Sequence, residues 1–365
     1  TSPNLDLGNA AILPGFVNAH THLDLSGLRG RCPPSDAAQF TDWLRSVIRH
    51  RRTKTPEQIE ADIRSGLADS IAYGTTLLGD IAAYGASWPV LVDSPVHSVV
   101  FHEVLGLPRS RAEETARSAA AWLNDHPARG NCRPGISPHA PYSVHSSLFQ
   151  VCAELASRHG LPLATHLAET REEIELLNKH SGPFVELLRE VGVWEEDGLV
   201  DGAADVVRLI KAAPKILLIH GNYLPLNTPL PPQASLVVCP RTHFAFGHVP
   251  HPLAQWLAKG VNVALGTDSL ASNPDLDVLA EARFLFAREP RVGGATLLRM
   301  ATLNGAIALG WDDETGSLTP GKSADLVVLP LPNRTTHGPF ELVLESSERV
   351  KAVMCRGRWI HGAVN

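Results

Sequence analysis

Several absences narrow the reading before any motif is considered. No stretch of 18 uncharged apolar residues occurs in the 365, so no membrane span is expected. Basic residues gather nowhere beyond Arg49-His50-Arg51-Arg52, and the formal net charge is −6. The electrostatic footprint of a nucleic-acid binder is therefore missing, and that short run reads as a solvated helix end. The five cysteines (Cys32, Cys132, Cys152, Cys239, Cys355) are odd in number and have no Cys-X-X-Cys spacing. The opening residues lack the basic and apolar regions of a secretory signal. A reducing, cytoplasmic setting is expected.

What is present suits a large globular enzyme. Hydrophobic content of 44% with 19% charged residues can fill a core, and the length fits one large barrel with a small accessory domain. Short β-branched or apolar runs alternate with helical patterns. The runs fall at 15–22, 75–80, 98–103, 134–139, 162–166, 216–220, 236–239 and 261–268. Between the first two, Thr55 reads as a helix N-cap, Pro56 as the first helical residue and Gln58 as the capping-box partner, with Gly74 as the stop. Eight strand-like runs joined by helical segments predict a parallel (β/α)8 TIM barrel, an α/β fold whose site lies at the carboxyl ends of the strands.

The polar residues at those ends form a set. His20 and His22, two apart, share one face of a strand and converge on one point. His139, His166, His220 and Asp268 end the fourth, fifth, sixth and eighth runs. Singly, each is compatible with an ordinary satisfied strand-end group. Together they read as a metal centre of imidazoles and a carboxylate, a donor set suited to Zn²⁺ or Fe²⁺ alike.

His20-X-His22, His166, His220 and Asp268 resemble the amidohydrolase superfamily. The stretch His166-Leu167-Ala168-Glu169 is similar to its branch of mononuclear purine and nucleoside deaminases, which also holds the triazine hydrolases. The stretches at 43–49, 101–106, 181–194 and 239–243 resemble the aminodeoxyfutalosine deaminases of menaquinone biosynthesis. The resemblance implies His20, His22, His166 and Asp268 as ligands of one divalent ion per chain, zinc first and iron second. No lysine stands at the fourth or fifth strand end, where two-metal members carry one. Such an ion lowers the pKa of a bound water to about 7, and Asp268 would accept its proton.

Deamination also needs a proton on the ring nitrogen beside the attacked carbon, and Glu169 is placed to give it. The alternative for Glu169 is an acid favoured by the dipole at the N-terminus of the following helix. The resemblance implies that His220 steadies developing charge and that His139 contacts the purine ring; a loop-stabilising role is the alternative for His139. Trp43, Glu103, Arg109, Arg241 and His243 are candidates for outer substrate contacts, although Trp43 also suits a helix's core face.

Two departures stand out. Cys239-Pro240-Arg241-Thr242-His243 replaces the Asn-Pro-X-Ser-Asn type stretch of many relatives, so the far end of the substrate is expected to be read differently. Only nineteen residues precede His20, so either the given sequence lacks its true N-terminus or the small β-sandwich domain, expected here as N-terminally truncated, is reduced: 1–14 a remnant, 15–315 the barrel, 316–365 the C-terminal sandwich strands with a hairpin around Arg356-Gly357. In a reduced sandwich, exposed strand edges would favour a homodimer. The sequence thus predicts a metal-dependent hydrolase that releases ammonia from a purine-like nucleoside, 6-amino-6-deoxyfutalosine foremost. Adenosine, methylthioadenosine or S-adenosylhomocysteine deamination and triazine or cyclic-amide hydrolysis are the alternatives; a non-catalytic metal-binding barrel is disfavoured because the donor set leaves a position open.

Overall fold

The computed structural model describes residues 6–34, 39–333 and 338–362. Residues 1–5 of the expected N-terminal remnant, and 334–337 and 363–365 of the expected C-terminal segment, lie outside the described residues. The chain enters on β1 (Ala10–Pro14) and β2 (Phe16–Thr21). It continues through β3 (Thr75–Ala83), β4 (His97–Val104), β5 (Cys132–Pro138), β6 (Pro162–Leu167), β7 (Lys215–His220), β8 (Ala234–Val238) and β9 (Asn262–Leu265). It ends on β10 (Leu326–Pro330), β11 (Ala352–Cys355) and β12 (Arg358–His361).

Strands β2 to β9 form one parallel sheet in sequence order. The backbone N–H groups of Thr267 and Asp268 both donate to the carbonyl of His20, at 3.1 Å, which brings the two ends of the sheet together. This is the (β/α)8 barrel that the eight runs predicted. Runs such as Ile216-Leu217-Leu218-Ile219 are apolar on both faces because helices cover the outside and side chains fill the inside. The inner filling is visible as one buried cluster joining Val17, Leu77, Phe101, Ala164, Leu217, Val237 and Ala264 from seven different strands. Gly135 of β5 supplies no side chain there because Phe101 occupies its place: a Cβ on Gly135 would sit 2.5 Å from Phe101 Cδ1.

The helix Pro56–Ala72 starts as its sequence dictates. Thr55 accepts the N–H of Gln58, and the Gln58 side chain accepts the N–H of Thr55 in return. The eighth run is shorter than expected, ending at Leu265 rather than reaching Asp268. Asp268, at φ +56°, lies beyond the strand and meets β2 only through an isolated bridge to Thr21.

The accessory unit is a four-stranded antiparallel sheet ordered β1-β10-β11-β12, in which Ala10 faces Pro330 and Pro14 faces Leu326. Its β11–β12 hairpin turns on Arg356 and Gly357, at φ +53° and +74°, the left-handed pair required by a tight two-residue turn. Asp325 ties the sheet to the barrel floor. Its carboxylate accepts from Thr315, Ser323 and the Arg356 N–H and lies 3.0 Å from His97 Nε2. Burial opposes ionisation of Asp325, but these partners outweigh it and hold the carboxyl below the usual range. None of the five cysteines is in a disulfide, and no helix among the described residues is long and apolar enough to cross a membrane.

Candidate metal centre and active site

The strand ends gather the histidines and Asp268 at one face of the barrel. His22 Nε2 lies 3.3 Å from His166 Nε2; Asp268 Oδ1 lies 3.5 Å from His20 Nε2 and 3.8 Å from His22 Nε2. Ligand-capable atoms of His20, His166 and His220 also fall within 4.8 Å of one another. Two ligand atoms each about 2.1 Å from one ion at a tetrahedral angle are about 3.4 Å apart, and the observed separations bracket that value. Both ring nitrogens of His20, and Nδ1 of His22, are buried without a hydrogen-bond partner. A divalent cation fits this set; without one, buried imidazole nitrogens face one another with nothing between them.

The electrostatics suit ligands. Burial, followed by neighbouring histidines, pushes His22 and His166 far below the usual imidazole range, so both are neutral. His166 Nδ1 donates to the carbonyl of His139 at 3.0 Å, which leaves Nε2 bare and turned to the cluster. Burial also lowers His220, and it takes His139 down to about 3, with Arg51 and His20 adding to the latter. For Asp268 burial works the other way, yet His20, His220 and Ser272 more than compensate and hold the carboxyl down at about 2. Burial thus favours the neutral forms of His22, His139, His166 and His220 beside a carboxyl held low by its partners.

Glu169 follows β6 after Ala168, whose φ of +54° turns the chain over the site. Its Oε1 is 3.4 Å from His220 Nε2, and burial, then Asp268 and Glu173, raise its carboxyl well above the usual range. The backbone beneath it is pinned. Glu173 accepts the N–H groups of Ala168 and Glu169, at 2.8 and 2.9 Å, and Asn222 donates to the Glu169 carbonyl at 3.0 Å. His220 itself sits at φ +66°, so three non-glycine residues with left-handed backbones (Ala168, His220 and Asp268) cluster at this face.

The cleft above holds about 450 Å³ including its mouth, and it is lined by His22, Trp43, Arg51, His139, Tyr142, His166, Glu169, His220 and Asp268, among others. Trp43 is both wall and core: its Nε1 donates to the carbonyls of Cys32 and Ala271, while its ring packs on Phe40 and Phe246. Glu103 is buried beside His139, its Oε1 3.9 Å from His139 Nε2, and its Oε2 is paired with Arg51. Arg51 also pairs with Asp24 at 2.9 Å. Sequence reasoning assigned this arginine to a solvated helix end. It missed Arg51 because Asp24 and Glu103 are far away in sequence; Tyr142, four residues from the strand-end proline, was missed for want of any motif.

The remaining outer candidates lie elsewhere. Arg109 is exposed and lines no part of the cleft. Arg241 donates from Nε to Glu281 and from Nη2 to Asp275, both at 2.6 Å, so its charge is already matched internally. His243 opens onto a neighbouring cavity of about 970 Å³ including its mouth, with Asn222, Cys239, His248, His251 and Arg288. Neither side chain lines the cleft above the cluster, which strand-end position alone could not reveal.

The sequence profile of the amidohydrolase family matches residues 11–360. An aminodeoxyfutalosine deaminase of a Nitratiruptor species is 29% identical over 337 residues, covering 90% of this chain and 81% of that protein. A 5-methylthioadenosine/S-adenosylhomocysteine deaminase of Moorella thermoacetica is 32% identical over 338 residues, with 90% and 75% covered. Among solved structures, an adenosine deaminase from Xanthomonas campestris with bound zinc superposes with a TM-score of 0.76 at 25% identity, covering 96% of this chain and 80% of that one.

Proposed function

Because the chain belongs to the amidohydrolase family, we propose that it is a metal-dependent hydrolytic deaminase of an aminopurine nucleoside. The substrate of first choice is 6-amino-6-deoxyfutalosine, which would place the enzyme in menaquinone biosynthesis. The observation that carries this reading is geometric: Glu169, its Oε1 3.4 Å from His220 Nε2, lines the same cleft as Asp268, whose Oδ1 faces His20 and His22. Two carboxyl groups so placed divide the work of base and acid.

His20, His22, His166 and Asp268 would hold one divalent ion, zinc before iron, which when bound supplies the Lewis acidity that activates water for attack. Asp268 takes a proton from the attacking water. Glu169 delivers one to the ring nitrogen beside the attacked carbon, so that the ring accepts the electron pair; the proton taken by Asp268 then passes to the exocyclic amine, which leaves as ammonia, and the hydroxyl proton returns to Glu169 as the carbonyl forms. His220 steadies the charge that develops between them. His139 and Trp43 line the cleft that would take the ring, and Glu103 stands behind His139 with its charge paired to Arg51. The relatives named for nucleoside deamination support this substrate class, and the unpaired thiols fit a reducing cytoplasm.

The test is ammonia release, with metal content by elemental analysis, on aminodeoxyfutalosine, adenosine, methylthioadenosine, S-adenosylhomocysteine and a chlorotriazine. Turnover of a nucleoside at about one metal per chain supports the reading. Metal without ammonia from any nucleoside refutes it.

A further inference from the structure

We propose that the segment Pro240-Arg241-Thr242, with Ser272, Asn273 and Glu281, is a positioning scaffold for the metal-side carboxylate of Asp268 and not a substrate-reading loop. The proposal rests on the deaminase reading only in taking Asp268 as a ligand.

Asp268 needs external support because its backbone is left-handed and its carboxylate must point one oxygen into the histidine cluster. Oδ1 does so. Oδ2 is taken by the hydroxyl of Ser272, which donates to it at 2.7 Å. A serine hydroxyl has one proton, so with that proton on Asp268 the 3.1 Å contact between Ser272 Oγ and Thr242 Oγ1 must run from threonine to serine. The chain Thr242, Ser272, Asp268 thus has a single direction, and Thr242 and Ser272 are both buried. It fixes the carboxylate's rotation about its Cβ–Cγ bond and directs Oδ1 at His20 and His22.

A second strut holds the backbone. Asn273 donates to the carbonyl of Thr267, the residue before Asp268, at 2.7 Å, and to Glu281 Oε1 at 2.7 Å. Glu281 is fully buried, and its other bonds come from the backbone N–H and Nε of Arg241. Asn18, on the strand that carries His20, donates to Thr267 Oγ1 at 2.7 Å and accepts its N–H at 3.1 Å. Thr267 is therefore clamped between the first and last barrel strands. The guanidinium that would have suited a substrate carboxylate is used to neutralise the acid at the root of this clamp.

Partners of metal ligands change metal affinity or activity by about 10- to 100-fold when removed. The experiment is zinc affinity of the purified holoenzyme by chelator competition, read alongside kcat and KM, for Ser272→Ala, Ser272→Thr, Thr242→Val and Arg241→Ala. Expected for Ser272→Ala is zinc binding weakened about 10- to 100-fold, kcat lowered and KM within about two-fold; Ser272→Thr, which keeps the donor, recovers most of the affinity. Thr242→Val weakens zinc less and adds nothing in the Ser272→Ala background, because the chain is already broken. A substrate-reading Arg241 would raise KM at constant kcat; a positioning one lowers zinc affinity and kcat. If Arg241→Ala does not fold because Glu281 is stranded, the serine pair alone decides. Zinc affinity of folded Ser272→Ala within two-fold of the parent overturns the proposal. Since zinc affinity needs no substrate, failure of every nucleoside to react would sink the deaminase reading and leave this measurement standing.

Discussion

Replacing Glu169 with Gln isolates one proton. The amide has nearly the same shape, and the bonds that pin this residue, from its N–H to Glu173 and from Asn222 to its carbonyl, belong to the backbone and survive the change. What is lost, on the proposed function, is the ability to give a proton to the ring nitrogen. Positioned general acids contribute about 10²- to 10⁴-fold, or roughly 3 to 5 kcal/mol of barrier, so kcat for ammonia release should fall by that factor while zinc stays bound.

Stability should move the other way. Burial raises the Glu169 carboxyl in the fold, so its contribution is full below the ordinary glutamate range and is lost as pH rises through the raised value. The amide does not titrate. Glu169→Gln should therefore match or trail the parent at acidic pH and gain on it steadily as pH rises, in melting curves taken from pH 5 to 8. Ammonia release within ten-fold of the parent, with zinc retained, would refute the assignment of Glu169 as the acid.

Other expectations follow from single sites. Burial lifts the Asp80 carboxyl to about 7, while its Oδ1 accepts the Leu23 N–H at 2.8 Å. Its folded value lies above its unfolded one, so stability is lost between about pH 4 and 7; Asp80→Asn, which keeps the acceptor, should gain on the order of 4 kcal/mol by pH 8 and nothing at pH 4 in denaturant titrations. Gly135→Ala should cost about 1–3 kcal/mol by overlap with Phe101, and Phe101→Leu in the same chain should recover part of the lost melting temperature; an unchanged melting point for Gly135→Ala would contradict the interior packing. Removing the metal by chelation should abolish turnover and lower the melting temperature, with zinc at a hundred times its Kd restoring about 2.7 kcal/mol, and full activity after exhaustive chelation would exclude a metal mechanism.

Local chemistry accounts for what was legible beforehand. The periodic apolar runs, the Thr55 capping box and the Arg356-Gly357 turn depend on neighbours a few residues apart, so they appeared in the structure where the sequence placed them. Strand-end position located His20, His22, His166, His220 and Asp268, because a parallel barrel brings all its carboxyl ends to one face. Roles that depend on partners far apart in sequence were not legible. Arg51 reaches Asp24 and Glu103, Arg241 turns to Glu281 and Asp275, and Ser272 meets both Thr242 and Asp268. The extent of β9 was also hidden, since nothing in Gly266-Thr267-Asp268 announces a left-handed backbone at the aspartate. The sequence by itself determined which side chains could bind a metal and on which face they would meet. Only the tertiary structure decided which charges were left free to act there, because a guanidinium or carboxylate is claimed by whatever opposite charge the fold buries beside it.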